Sequence, residues 1–150
     1  MLEKLNLKRY LKMLNSIPHI EAIKTVELDF GVITLRSDNI IAFEPADGFT
    51  TFNMDQLTIM LNVFLEITNG VPRPYFSNNY NLKSLGSRER VYISENFHRF
   101  ACAFAMTENS AVTRFITHSF MQLSRPAIPV RMFKEKEAAY AWLRTFNKEQ

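Results

Sequence analysis

Residues able to do chemistry are few in this chain and scattered along it. His19, His98 and His118 sit in unrelated contexts. No two of them have the three- or four-residue spacing that sets two imidazoles on one helix face for a metal. His118 falls on a predicted helix with no nucleophile close in sequence for it to activate. Cys102 lies within the apolar run Phe100-Ala-Cys-Ala-Phe-Ala-Met106, where a thiol is expected to act as a small buried hydrophobe. As the single cysteine it cannot form an intramolecular disulfide. Gly31, Gly48, Gly70 and Gly86 stand isolated, so no glycine-rich loop is present to cradle a phosphate. Glu135 and Glu137 open a predicted helix, where they complement its dipole and do not form an acid–base pair. These residues predict no catalytic set, no metal and no cofactor.

One stretch has the makings of a site. Lys83-Ser-Leu-Gly-Ser-Arg-Glu-Arg90 places Ser87 at the predicted start of a helix, with Lys83, Arg88 and Arg90 around it. As an N-cap, Ser87 would accept a first-turn amide and stabilise the helix by about 1 kcal/mol. As a phosphoacceptor, it would set a dianion against free amides and the positive end of the dipole. Ser84 is a weaker version of the same idea. Lys83, Arg88 and Arg90 read as a patch for an anion or for an acidic segment of a partner. Tyr75, Phe76 and Tyr80 beside Arg73 and Lys83 admit a nucleic-acid reading, but strand packing explains them equally well.

The elements that must position these residues follow from periodicity. Residues 1 to about 20 predict an amphipathic helix ending near Pro18, either packed on the domain, packed on a second copy, or a loose arm. Val26, Leu28 and Phe30 alternate with Glu27 and Asp29, predicting a strand that continues past Gly31 to Leu35, with a bulge at the glycine. Ser37-Asp-Asn39 turns the chain, and Ile40 to Phe43 returns as its partner. Asn53 and Gln56 form a capping-box pattern, with Phe52 and Leu57 as staple, for a helix that ends at Asn69-Gly70. Its expected inner face is Leu57, Met60, Leu61, Phe64, Leu65 and Thr68. A short strand at Tyr75-Phe-Ser77, a helix from Ser87 to about Asn96 and a buried strand at 100–106 follow. Asn109 or Ser110 then caps a helix whose expected inner face is Val112, Phe115, Ile116, Ser119, Phe120 and Leu123. Finally Pro129-Val-Arg-Met-Phe133 hands over to a helix with Ala138, Ala139, Trp142, Leu143 and Phe146 on its apolar side. Trp142 is expected to be largely buried, so that its truncation to Ala costs on the order of 3 to 5 kcal/mol.

Composition bounds the rest. With 150 residues, 47% hydrophobic and 22% charged, the chain suffices for one well-packed domain. The net charge of +3 is mild, and part of the excess sits in the first dozen residues, where Lys4, Lys8, Arg9 and Lys12 face only Glu3. This falls short of the dense basic stripe of a nucleic-acid binder. No apolar run reaches the roughly 18 to 20 residues that span a bilayer. Nor does the N-terminus have the unbroken apolar centre of a secretion signal. The expected location is the cytoplasm, without nucleic-acid or membrane partners.

From about Lys24 to Phe146 the chain resembles the small bacterial STAS-like proteins, which are related to the sulfate-transporter and anti-sigma-factor antagonist domain. The resemblance rests on Val26-Glu-Leu-Asp-Phe-Gly31, Thr68-Asn-Gly70, Asn81-Leu-Lys-Ser-Leu85 with Ser87-Arg-Glu-Arg90, and the terminal strand–helix cassette ending at Trp142-Leu143. It implies a sheet of about four or five strands and a role in protein–protein regulation instead of catalysis. In the antagonists, a serine within Asp-Ser-Ser-Gly at the start of the helix after a central strand is phosphorylated. The corresponding stretch here, Ser84-Leu-Gly-Ser87-Arg-Glu-Arg90, lacks that motif.

The expectation is therefore an α/β protein with a single mixed, largely parallel sheet, opened by an antiparallel hairpin and covered by helices. Residues 1–23 form an extension and 24–148 the domain. The expected function is a non-catalytic, regulatory protein-interaction module that binds a protein partner or a second copy of itself. The alternative is a carrier of a small apolar ligand or lipid, with the Phe- and Met-rich core lining an apolar pocket.

Overall fold

The computed structural model describes residues 7–9, 11, 12, 19–124 and 126–147. Most of the helix expected over residues 1 to 20 lies outside them. Residues 7–9, 11 and 12 are helical, with Leu7 and Leu11 exposed.

Six strands form one sheet in sequential order: β1 (Ala22–Leu28), β2 (Gly31–Arg36), β3 (Ile41–Pro45), β4 (Arg73–Asn78), β5 (Ala101–Thr107) and β6 (Val130–Phe133). The first three pair antiparallel and the last four parallel. Helices α1 (Met54–Thr68), α2 (Ser87–Asn96) and α3 (Ala111–Ser124) are the three crossovers, and α4 (Lys136–Arg144) follows β6. Right-handed crossovers that all advance in one direction across the sheet deposit their helices on the same face. The core divides accordingly. Ile33, Phe43, Tyr75, Phe104 and Met106 pack under α1, α2 and α3, while Ile40, Ala42, Phe76, Ala103 and Ala105 meet Ala139, Tyr140 and Leu143 of α4. Bulky aromatics thus fill the three-helix face, with Phe64 stacked on Phe100 at 4.1 Å and Tyr75 on Phe104 at 4.9 Å. Alanines on the opposite face let α4 lie close to the sheet.

The strand expected from Val26 to Leu35 is instead two strands. The chain reverses at Asp29-Phe30, pairing Leu28 with Gly31, so the expected hairpin, present as β2 and β3, is extended by β1 into a three-stranded antiparallel meander. The inward positions are the even-numbered Val26 and Leu28 in β1 but the odd-numbered Gly31, Ile33 and Leu35 in β2, the change of phase that a two-residue turn brings. Gly31 is required by close approach and not by a bulge: a Cβ there would lie 2.5 Å from the Phe43 ring and 2.6 Å from the Glu44 carbonyl. The register shift falls instead between Ala22 and Lys24 of edge strand β1, where a bulge and a lysine discourage further pairing.

Asn53 caps α1 as expected: Gln56 N donates to its side chain at 2.8 Å, and Asn53 N donates to Gln56 Oε1 at 3.0 Å. The helix ends at Asn69 and Gly70, both with positive φ, and Ile67 replaces Leu65 on the buried face. Pro74 is accommodated within β4 because the β3 ladder starts one residue later, at Tyr75, and the β5 ladder shifts register there.

Three expectations about helices are corrected. Ser110 is the N-cap of α3, receiving Thr113 N at 3.1 Å, but the inner face of that helix is Thr113, Ile116, Thr117 and Phe120. Phe115 is 72% exposed and Val112 53%; the Leu123 side chain lies outside the described residues. The threonines can point inward because each hydroxyl finds a carbonyl, Thr113 Oγ1 donating to Leu82 O at 3.1 Å and Thr117 Oγ1 to Thr113 O at 3.0 Å. On α4, Ala138 is exposed and Trp142 half-buried between Phe133 and Phe146, with Tyr140 and Leu143 as the anchors. The third correction concerns the N-cap of α2.

Candidate functional site

The loop between β4 and α2 leaves the carboxyl end of a central parallel strand, where open α/β sheets place their ligands. Its backbone is pinned to the segment before α1: Lys83 N donates to Thr50 O at 2.8 Å, and Thr51 Oγ1 to Ser84 O at 2.9 Å. Leu82 inserts into the core while Lys83 and Ser84 remain exposed.

Ser87 is not the N-cap of α2. Gly86 holds that position and Ser87 is the first helical residue, exposed, with its hydroxyl capping nothing. The Glu89 carboxylate folds back over Gly86, where its Oε2 would lie 2.2 Å from a Cβ. A negative charge of the chain itself thus already faces the positive end of the helix. Arg88 and Arg90 do not lie on one side of α2. Arg88 is exposed and Arg90 half-buried, and two residues apart on a helix they do not share a face. Arg88 instead joins Val91, Tyr92 and Glu95, at helical spacings of three, four and seven. With Ser87 and with Met54 of α1 these line an open groove of about 390 Å³. Val91 is 50% exposed within it.

Beneath the same loop lies a mostly apolar cavity of about 40 Å³, enclosed by β4, β5, the three helices and the loop leucines Leu82 and Leu85. Its polar groups come from the carboxyl end of β4 and from α3. Ser77 Oγ donates to Asn79 Oδ1 at 2.7 Å, and Asn79 Nδ2 donates to the Met106 sulfur at 3.5 Å. Thr117 Oγ1 stands 3.4 Å from the same sulfur. Burial pushes the Tyr75 hydroxyl well above the usual tyrosine range, partly offset by its contact with Ser77, so the ring stays neutral. Sequence reading missed this group. Its signal was the polar stretch Ser77–Asn79 directly after Tyr75-Phe76 of β4.

At the rim of the sheet, Glu44 accepts Asn78 Nδ2 at 2.9 Å and Lys136 Nζ at 2.6 Å, and Thr107 Oγ1 donates to Asn78 Oδ1 at 2.8 Å. This network ties α4 to the ends of β3, β4 and β5. On the α4 face, Asp38 gathers Arg36 (Nη2 at 2.9 Å) and Arg144 (Nη1 at 3.3 Å), and the Arg36 guanidinium lies 3.7 Å from the Tyr140 ring centre. Burial raises the Tyr140 pKa despite that cation.

The remaining chemistry-bearing residues stay apart. His19, before β1, His98, after α2, and His118, on α3, are all exposed, and among the described residues no group of three or more His, Cys, Asp or Glu converges to hold a metal. Cys102 is half-buried and not enclosed as expected. Tyr75 and Phe76 are fully buried, which removes their faces from any stacking surface, and Tyr80 donates its hydroxyl to the Lys134 carbonyl. No helix among the described residues is long and apolar enough to cross a membrane.

A family model described as "Domain of unknown function (DUF7793)" matches residues 33–147. No curated protein matches the chain. Among solved structures, the chain is similar to an uncharacterised protein of the DUF3478 family with a SpoIIAA-like fold from Shewanella loihica PV-4. The two share 12% identity at a TM-score of 0.52, over 83% of this chain and 93% of that one. At that identity the likeness establishes the fold, which is the STAS-like one anticipated from the sequence, with six strands in place of four or five.

Proposed function

The chain belongs to the DUF7793 family, and we propose that it is a non-catalytic interaction module that binds a protein partner through the first turns of α2. The observation that carries this reading is the groove of Ser87, Arg88, Val91, Tyr92, Glu95 and Met54, which joins an exposed cation and an exposed serine to an apolar floor. Such a mixture of aromatic, aliphatic and arginine side chains is the composition of a recognition surface. The exposed Phe115 and Val112 of α3 supply further unpaired apolar area. Ser87 is the phosphoacceptor of choice, since its hydroxyl is exposed and bears no capping role. Ser84 is second, also exposed but with its backbone held by Thr51. A phosphate on Ser87 would confront Glu89 and draw Arg88, and so change the charge of the groove lip.

The reading is tested by recovering tagged protein from its host and comparing it with the double variant Arg88→Glu, Val91→Asp. Both side chains are exposed, so the variant is expected to fold with an unchanged melting curve and to lose its co-purifying partner. Retention of the same partner by the folded double variant, or steady turnover of a substrate by the purified chain, overturns the reading.

A further inference from the structure

We propose that the cavity beneath the β4–α2 loop binds a small uncharged organic molecule with a short apolar body and one carbonyl or hydroxyl oxygen. Three observations carry the assignment, none of which depends on the partner groove.

The first is an underused donor. Asn79 is 8% exposed, and its amide nitrogen, with two N–H groups, donates among the described residues only to the Met106 thioether, a weak acceptor. Buried polar groups ordinarily find strong partners. An acceptor oxygen beside Asn79 Nδ2 would complete the set, and Thr117 Oγ1, on the same sulfur, stands at the same spot.

The second is the absence of charge. Among the described residues no Lys, Arg, His, Asp or Glu lines the cavity, and its remaining wall is aliphatic and aromatic. A carboxylate, phosphate or ammonium there would be desolvated without a counter-charge, which is strongly unfavourable. This selects ketones, alcohols, esters or aldehydes over acids and amines.

The third is size and access. A volume of 40 Å³ holds more than a single water, which needs about 10 to 15 Å³ by the same measure, and it suits roughly three to five non-hydrogen atoms. It is too small for a lipid chain as it stands. Ile93, Phe97, Phe104 and Phe120 separate it from a second void of about 10 Å³ towards residues 126–128. Leu85 and Ile116, both half-buried, form its outer rim, so the ligand would enter past the loop.

The test uses the full chain, labelled with ¹⁵N, titrated with 2-butanone, 1-butanol and sodium butyrate up to about 50 mM, since so few atoms support only weak binding. The ketone and the alcohol are expected to give saturable shifts at Leu82, Leu85, Ile116 and Thr117 amides and to raise the melting temperature. Butyrate at matched ionic strength should do neither. Asn79→Leu should weaken the ketone at least tenfold. Should that variant fail to fold, the contrast between neutral compounds and butyrate on the wild-type chain decides alone. Absence of saturable shifts from the neutral compounds overturns the proposal and leaves a void for water. Equal binding of butyrate, or shifts that map elsewhere, overturns it as well.

Discussion

Leu143→Ala should destabilise this protein more than Trp142→Ala, although Trp is the larger residue. Helix α4 is the cover of one sheet face, and it holds on through Ala139, Tyr140 and Leu143. Leu143 is fully buried against Ile40, Ala42, Phe76 and the β5 alanines. Its truncation removes three carbons, about 2.4 kcal/mol at about 0.8 kcal/mol per buried carbon. The cavity term adds to that, giving about 3 to 4 kcal/mol in all, towards the middle of the range seen for buried leucines. For a chain of this size each kcal/mol is about 2 to 4 °C, so the melting temperature should fall by roughly 6 to 16 °C. Trp142 contacts Phe133 at 5.8 Å and Phe146 at 4.8 Å between ring centres, but its outer side remains in water. Only part of its surface is lost from burial on truncation, and the neighbouring rings can close over the gap, so about 1 to 2 kcal/mol is expected. The assay is urea unfolding followed by far-UV circular dichroism, with the slope checked to be unchanged so that the midpoint shift reports stability. A cost for Trp142→Ala equal to or above that for Leu143→Ala would refute the packing of α4 described above. So would a Leu143→Ala cost below about 1 kcal/mol.

Asn53→Ala should cost about 1 kcal/mol by removing the reciprocal cap of α1, whereas Ser87→Ala, which removes no cap, should stay within about 0.5 kcal/mol; urea midpoints measure both. Tyr75 ionises later in the folded chain than in the unfolded one. Its contribution is therefore constant below about pH 10, and stability is lost above that pH as the unfolded chain ionises first, by up to about 1.4 kcal/mol per pH unit. Tyr75→Phe should remove that share of the alkaline loss, seen by comparing unfolding midpoints at successive alkaline pH values. Phe115→Asp should leave stability within about 0.5 kcal/mol, because the ring is 72% exposed, and should shorten retention on a hydrophobic column. A drop of several kcal/mol would mean that Phe115 is packed.

Features with a local cause were legible in the sequence. The Asn53–Gln56 cap and the Asn69-Gly70 stop appear where their side chains and φ requirements put them. The apolar run Phe100–Met106 becomes central strand β5, packed on both faces. Features decided by neighbours distant in sequence were not. The inner face of α3 looked apolar through Val112 and Phe115, but Thr113 and Thr117 take it, since the Leu82 carbonyl, far along the chain, satisfies one hydroxyl. The turn at Asp29-Phe30 was hidden because Phe30 and Val32 continue the even-numbered alternation of β1, whereas the buried positions of β2 are the odd-numbered Gly31, Ile33 and Leu35.

For the candidate site the division is similar. Sequence pointed to residues 83–90 because serine and arginines cluster there, and the loop does lie at the carboxyl end of a central strand. Which of those side chains share a surface was a matter of helix phase and tertiary contact: Arg88 enters the groove, Arg90 does not, and Gly86 takes the cap position from Ser87. For the cavity behind the loop, sequence offered only the polar residues Ser77 and Asn79, since Met106 and Thr117 join them only when β4, β5 and α3 pack. Local propensity and periodicity act within a few residues and so determine elements, caps and fold class. Enclosure and convergence depend on long-range packing, which sequence spacing does not encode residue by residue.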